Sequence, residues 1–147
     1  MPSINLQILP QHGPVVDVHI GVSEPKRIAL IAAGQPVPPP ESCRLLIDTG
    51  ASLTCIDSWV IQQLGLSPTG AASFHTPSTS AGNAHSCNQY DVFLSIQHPV
   101  LARMFHATPV FESAFKHQGI DGLLGRDILQ HCLFIYNGEL GICTLSF

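Results

Sequence analysis

The alternation of apolar and polar residues predicts that this chain folds mostly into β-strands. Residues 16–22 alternate strictly between apolar and other side chains, as in a strand with one buried face. Similar patterns predict strands over residues 44–47, 89–96, 100–110, 133–136 and 140–145. Asn137 and Gly138 separate the last two strands, and this pair favours a type I′ turn because both central residues need positive φ.

Only two short helices are predicted beside these strands. Asp57 or Ser58 can cap the first helix, and the second covers residues 126–132. Residues 24–41 contain five prolines, so they are predicted to form a loop around an apolar stretch, residues 28–32, which itself has the pattern of a strand. The chain is therefore expected to be all-β.

Composition then restricts the classes of function. The chain has 147 residues, which is the size of one domain, and its 45% of hydrophobic against 11% of charged residues excludes a disordered chain. The net charge of −4 and the absence of any Lys or Arg cluster argue against a nucleic-acid partner. No apolar run could span a bilayer, no signal peptide is apparent, and the five cysteines form no CxxC pair. We therefore expect a cytoplasmic protein with no membrane partner and no metal site.

One segment carries candidate chemistry. Asp48 follows directly after three aliphatic residues and is followed by Thr49, Gly50, Ala51 and Ser52. A carboxylate at the edge of a core is costly unless it is hydrogen-bonded or shares its charge, and a hydroxyl and an unobstructed backbone N–H follow within two residues. On its own, the Asp-Thr-Gly triplet is better explained as an Asx-type turn after a strand.

A second motif gives the triplet its context. Residues 45–56 resemble the active-site loop of retropepsin-like aspartic proteases, single-domain relatives of pepsin. The second half of that family's signature has two aliphatic residues and a glycine, often followed by Arg-Asp and a short helix. Residues 123–129 resemble it closely, because they begin with Leu123, Leu124, Gly125, Arg126 and Asp127. The resemblance implies one retropepsin-like acid-protease β-barrel over residues 1–147, with one or two short helices and one lobe per chain.

The resemblance also implies a mechanism. Aspartic proteases use two carboxylates that share one proton, because like charges about 3 Å apart cannot both ionise. One carboxylate takes a proton from water and the other donates to the peptide carbonyl oxygen, so no metal or other cofactor is needed. This chain has one Asp-Thr-Gly. The implied enzyme is therefore a C2 homodimer with Asp48 as its catalytic residue and a polypeptide as its substrate.

The resemblance assigns supporting roles to the neighbours of Asp48. Thr49 would hydrogen-bond across the dimer, Gly50 would direct backbone N–H groups toward the carboxylates, and Ala51 would line the cleft. Viral members often carry an acidic residue at the position of Ser52, and it pairs with the arginine of the second motif. Here Arg126 is expected to pair instead with Asp127 or Asp57, in a folding or dimer role. Asp127 is also predicted to cap the second helix, while Leu123 and Leu124 are expected to be core or cleft-wall residues.

The segment between the two motifs departs from the family. Residues 74–88 are the candidate flap, with Ser80, Ala81, Gly82 and Asn83 near its tip, but they are polar and lack the usual glycine-rich aliphatic sequence. Two alternatives to an aspartic endopeptidase therefore stay open. The chain could be a catalytically weak or inactive module that binds peptides or only dimerises, or a monomeric β-domain in which the triplet is incidental.

Overall fold

Ten strands form one hydrogen-bonded sheet in the computed structural model, which describes residues 1–74 and 85–147. The strands are β1 Ser3–Leu9, β2 Gly13–Val22, β3 Glu41–Ile47, β4 Cys55–Asp57, β5 Gly70–Phe74, β6 His85–Ile96, β7 Arg103–Ser113, β8 Gly122–Leu124, β9 Leu133–Asn137 and β10 Ile142–Ser146. Their order in the sheet is β5-β6-β7-β4-β8-β3-β2-β1-β10-β9, and β6 also pairs with β2. That additional pairing closes six strands into a barrel, as the fold prediction required.

The strict alternation in β2 places its apolar side chains in the core of the barrel. Val16, Val18 and Ile20 are at most 1% exposed, whereas Asp17 between them is exposed. Every strand of the barrel contributes buried apolar side chains, either by the same alternation or through a short apolar run. The helix α2 (Ser58–Gln63) covers the core with Val60 and Ile61.

The helices partly differ from the prediction. The α2 helix is capped as expected by Asp57, whose side chain accepts from the Trp59 N–H, and α3 spans Arg126–Leu129. A 3-10 turn spans Lys116–Gln118. No helix in the described ranges is long and apolar enough to cross a membrane.

The predicted loop or strand near residue 28 is wrong, because Glu24–Ala32 forms a helix, α1. Pro25 stands in its first turn, where proline favours helix initiation, and the other four prolines follow its C-terminal end. Proline density therefore marked the end of this helix rather than its absence. None of its residues is buried, and its apolar residues Ile28 and Ile31 are both 56% exposed.

The turn between β9 and β10 also differs from the prediction. The strands pair from Asn137 with Ile142 onward, so the turn has four residues, 138–141, and is not a two-residue type I′ turn. Only Gly141 adopts positive φ there, at 65°. The Asn137 side chain accepts a hydrogen bond from the Leu140 N–H at 3.0 Å, which stabilises the wider turn.

The base of the candidate flap is a hairpin. β5 and β6 pair antiparallel from Gly70 opposite Gln89 to Phe74 opposite His85. The predicted tip residues Ser80, Ala81, Gly82 and Asn83 lie outside the described residues.

Candidate active site

Parallel pairing of β3 with β8 brings the two sequence motifs together. Ile47 lies opposite Leu124, and the Asp48 N–H donates to the Leu124 carbonyl at 3.1 Å. Because both strands run in the same direction, their carboxyl ends lie side by side. Asp48 and Gly125, the next residue of each chain segment, therefore begin two neighbouring loops at one end of the barrel.

The Asp48 carboxylate is fixed by its own loop. Its Oδ1 accepts hydrogen bonds from the Gly50 N–H at 2.8 Å and from the Ala51 N–H at 3.2 Å. No donor among the described residues is hydrogen-bonded to its Oδ2, and the side chain is half-buried. One carboxylate oxygen is thus held by the protein while the other is left for a water molecule, a substrate or another carboxyl group.

Arg126 holds the same loop from the second motif. Its Nη1 donates to the Thr49 carbonyl at 2.8 Å, its Nη2 donates to Ser52 Oγ at 2.7 Å, and its backbone N–H donates to the Ala51 carbonyl at 2.9 Å. The expected pairing of Arg126 with Asp127 or Asp57 is therefore wrong. A planar guanidinium can bind two acceptors at once, and here it binds the Thr49 carbonyl and Ser52 Oγ of the same loop.

Asp127 is occupied by Thr54. Its two oxygens accept from the Thr54 N–H at 3.0 Å and from Thr54 Oγ1 at 2.8 Å, and the Gly125 N–H donates to the same hydroxyl at 3.1 Å. Asp127 does not cap α3, whose N-cap is Gly125 without a side-chain bond. Thr54 is fully buried, so this three-member network links the two motifs inside the protein.

Sequence reasoning gave Thr54 no role, although it lies within the active-site segment. The sequence shows only a hydroxyl residue between Leu53 and Cys55 at this position. It does not indicate that the hydroxyl binds Asp127, which is 73 residues away. Gly125 is required at its place, because an added Cβ would come 2.5 Å from the backbone carbonyl carbon of Leu53. The two loops pack backbone to backbone there.

Two other aspartates near the motifs serve the fold. Asp57 is 5% exposed and accepts from the backbone N–H groups of Trp59, Phe115 and Lys116. Burial opposes the ionisation of Asp57, but these three hydrogen bonds outweigh it and lower its pKa. Asp121 accepts from the Trp59 indole N–H at 3.2 Å and from the Arg44 N–H at 2.8 Å. Neither carboxylate is available as a partner for Asp48 within one chain.

The remaining predicted residues surround Asp48. Thr49 and Gly50 are exposed, Ala51 is half-buried, Leu123 is half-buried and Leu124 is in the core. Cys55, which lies within the active-site segment, is a poor nucleophile: burial raises the pKa of its thiol to about 11, and the neighbouring Cys87, Asp127 and Asp48 add to the effect. A thiol-protease mechanism is therefore disfavoured.

Comparisons with known proteins agree with this geometry. A family model described as aspartyl protease matches residues 33–128, a range that contains Asp48, Thr54 and the Gly125-Arg126-Asp127 motif. A search of curated proteins finds no match to this chain. The crystal structure of a retropepsin-like aspartic protease from Rickettsia conorii is similar, with a TM-score of 0.58 and 14% sequence identity over 99% of this chain and 91% of that one. At this identity the structural similarity establishes the fold.

Proposed function

Because the chain belongs to the retropepsin-like aspartyl protease family, we propose that it is a homodimeric aspartic endopeptidase in which each subunit contributes Asp48 to the catalytic dyad. The observation that carries the proposal is the state of the Asp48 carboxylate. Its Oδ1 is fixed by two loop N–H groups, while its Oδ2 accepts no hydrogen bond from the described residues. A general acid or base must be oriented in this way and still have an oxygen free to exchange a proton.

The proposed source of the second carboxylate is a second chain. Asp57, Asp121 and Asp127 each bind two or more donors of the fold, and the sequence contains one Asp-Thr-Gly. A two-fold symmetric dimer contains a second copy of the same loop, and therefore a second Asp48. Thr49 is exposed on that loop, which is consistent with the proposed hydrogen bond across the dimer.

In the proposed reaction the two Asp48 side chains share one proton. The ionised carboxylate removes a proton from a water molecule, and that water attacks the peptide carbonyl carbon. The protonated carboxyl donates to the carbonyl oxygen, which gives a tetrahedral intermediate with two hydroxyl groups. The carboxyl that took the proton from water then donates it to the leaving amine as the C–N bond breaks, and one hydroxyl of the intermediate returns its proton to the other carboxylate. The dyad ends with one proton, as it began. Ala51 and Leu123, both half-buried beside the loop, are the proposed cleft wall.

The test is Asp48→Asn, with Asp17→Asn as the matched control because Asp17 is an exposed aspartate on β2. Wild type and both variants are incubated with a peptide library between about pH 3 and pH 7, a range that spans ordinary carboxyl pKa values. We expect Asp48→Asn to lose at least about a thousandfold in cleavage rate while its solution mass stays unchanged, and Asp17→Asn to cleave normally.

Two results would contradict the proposal. If purified Asp48→Asn cleaved at the wild-type rate, Asp48 would not be the catalytic residue. If a stable wild-type dimer cleaved nothing in the library at any pH, a peptide-binding or dimerisation module would be the better description.

A further inference from the structure

A proline-rich segment connects α1 to β3 and belongs neither to the core nor to the candidate active site. Residues 35–41 have the sequence Gln-Pro-Val-Pro-Pro-Pro-Glu. Proline fixes φ near −65°, and the residue before a proline is restricted to extended conformations. Residues 35 and 37–39 each precede a proline, and none of the described peptide bonds is cis. The segment therefore favours the polyproline II helix, which is extended and has three residues per turn.

Both ends of this segment are held by the fold. At its start, α1 ends in a Schellman motif, in which the Gly34 N–H donates to the Ile31 carbonyl at 3.0 Å. In the same motif the Gln35 N–H donates to the Leu30 carbonyl at 2.9 Å. At its end, Glu41 begins β3 and pairs with β2. The prolines thus stand between two fixed points and do not form a loose tether.

The exposure of the side chains follows the polyproline II period. Pro36 and Pro39 are three residues apart, so they lie on one edge of such a helix, and both are exposed. Val37 and Pro38, which stand between them, are half-buried, and Pro40 is exposed again at the end of the segment. The outward edge therefore carries two proline rings at P-x-x-P spacing. This is the spacing that aromatic-lined grooves recognise in polyproline II ligands.

The backbone of the segment is open to a partner as well. Proline has no N–H, and the carbonyls of residues 36–39 accept no hydrogen bond from the described part of the chain. A groove lined by tryptophan and tyrosine matches this chemistry, because their rings pack against proline while their N–H and O–H groups donate to carbonyls. The segment is already extended and fixed at both ends, so little conformational freedom is lost on binding.

We propose that residues 35–40 are a docking segment for a protein domain that binds polyproline II helices in an aromatic-lined groove. Pro36 and Pro39 enter the groove, and the free carbonyls accept hydrogen bonds from its donors. The segment precedes β3 and Asp48 follows it, and the two ends of this seven-residue strand are about 20 Å apart. A domain bound to the segment therefore leaves the Asp48 loop accessible and holds this chain beside the protein that carries the domain.

The test is a titration of the full chain into purified, isotope-labelled SH3 and WW domains, the two classes of probe. Wild type is compared with Pro36→Ala/Pro39→Ala and with the matched control Pro68→Ala/Pro99→Ala, which replaces two exposed prolines outside the segment. We expect wild type and the control to bind at least one domain equally and to shift the resonances of its groove. The dissociation constant should rise at least about tenfold for Pro36→Ala/Pro39→Ala, because both rings that enter the groove are lost.

Loss of binding must be distinguished from loss of fold. Pro36 and Pro39 are exposed, so both double variants should keep the wild-type Tm. If neither class of domain bound wild type, or if Pro36→Ala/Pro39→Ala bound as tightly as wild type, the segment would not be a polyproline II ligand. If the resonances of Gln35 and Val37 shifted when the concentration of this chain alone was raised, the occupant would be a second copy and the proposal would be wrong. Peptide cleavage is not a readout here, so this test does not depend on the proposed function.

Discussion

Replacing Thr54 by valine tests whether the buried network between the two motifs holds the structure together. Thr54 is fully buried, and its hydroxyl donates to Asp127 at 2.8 Å and accepts from the Gly125 N–H at 3.1 Å. Valine has nearly the same shape as threonine, so Thr54→Val creates no cavity and removes only the hydroxyl. Thr54→Ser is the matched control, because it keeps the hydroxyl and loses one methyl group.

The magnitude follows from the two hydrogen bonds. The bond to the Asp127 carboxylate contributes about 1.5–3 kcal/mol, and leaving the buried Gly125 N–H without an acceptor costs about 1–3 kcal/mol. Thr54→Val should therefore lower the free energy of unfolding by about 3–5 kcal/mol, whereas Thr54→Ser should lower it by about 1 kcal/mol. For a chain of 147 residues, a loss of about 3–5 kcal/mol corresponds to a fall of about 10–15 °C in Tm.

The assay is urea unfolding followed by the fluorescence of Trp59, the single tryptophan of the chain. Wild type and both variants are compared at one protein concentration, because unfolding of a dimer depends on concentration. If Thr54→Val unfolded within about 1 kcal/mol of both wild type and Thr54→Ser, the network would contribute no more than about one ordinary hydrogen bond. The energetic link between the motifs would then have to lie elsewhere.

Two further predictions address the loop and the pH dependence. Arg126→Met should lower kcat by about 10–100-fold with a smaller effect on KM, because the Thr49 carbonyl and Ser52 lose their donor and the Asp48 loop is less well fixed. Arg126→Lys should recover part of this loss. A wild-type kcat in Arg126→Met would refute the positioning role. Asp57→Asn should destabilise the protein by about 2–4 kcal/mol at neutral pH, since an amide nitrogen cannot accept from two N–H donors. It should also flatten the loss of stability that we expect for wild type below about pH 4, which denaturant titrations at several pH values would detect.

The parts of the fold that could be predicted from sequence are those with a buried, periodic signal. β2 alternates strictly, α2 has an aspartate cap before an apolar face, and the active-site segment follows a short aliphatic strand. In each case a local pattern and the final burial agree, so the pattern was sufficient. The family resemblance supplied what no local pattern contains, namely that residues 45–56 and 123–129 belong to one site.

The wrong predictions for α1 and for Arg126 have different physical causes. The isoleucines of α1, Ile28 and Ile31, are both 56% exposed, and the prolines at its start and after its end favoured a loop over a helix. The partners of Arg126 are a hydroxyl and backbone carbonyls 74–77 residues away. Every residue has a backbone carbonyl, so the sequence does not indicate which of them accepts from an arginine. Charge pairing was a reasonable expectation for Arg126, but Asp57 and Asp127 were already bound by N–H and O–H donors.

The acid limit of activity should be set by folding rather than by the dyad. A dyad that needs one proton favours acidic conditions, while the fold needs Asp57 ionised in order to accept three backbone N–H groups. Because the folded pKa of Asp57 lies below its ordinary value of 3.8, its contribution is complete above that value and is lost as the pH falls through the folded pKa. As the pH falls through this window, the support for α2 and for the segment after β7 weakens. Cleavage and unfolding measured on the same samples should therefore decline together on the acid side, and cleavage should persist to lower pH in a variant stabilised far from Asp57. A decline in cleavage well above the pH at which the protein begins to unfold would instead place the acid limit in the Asp48 pair itself.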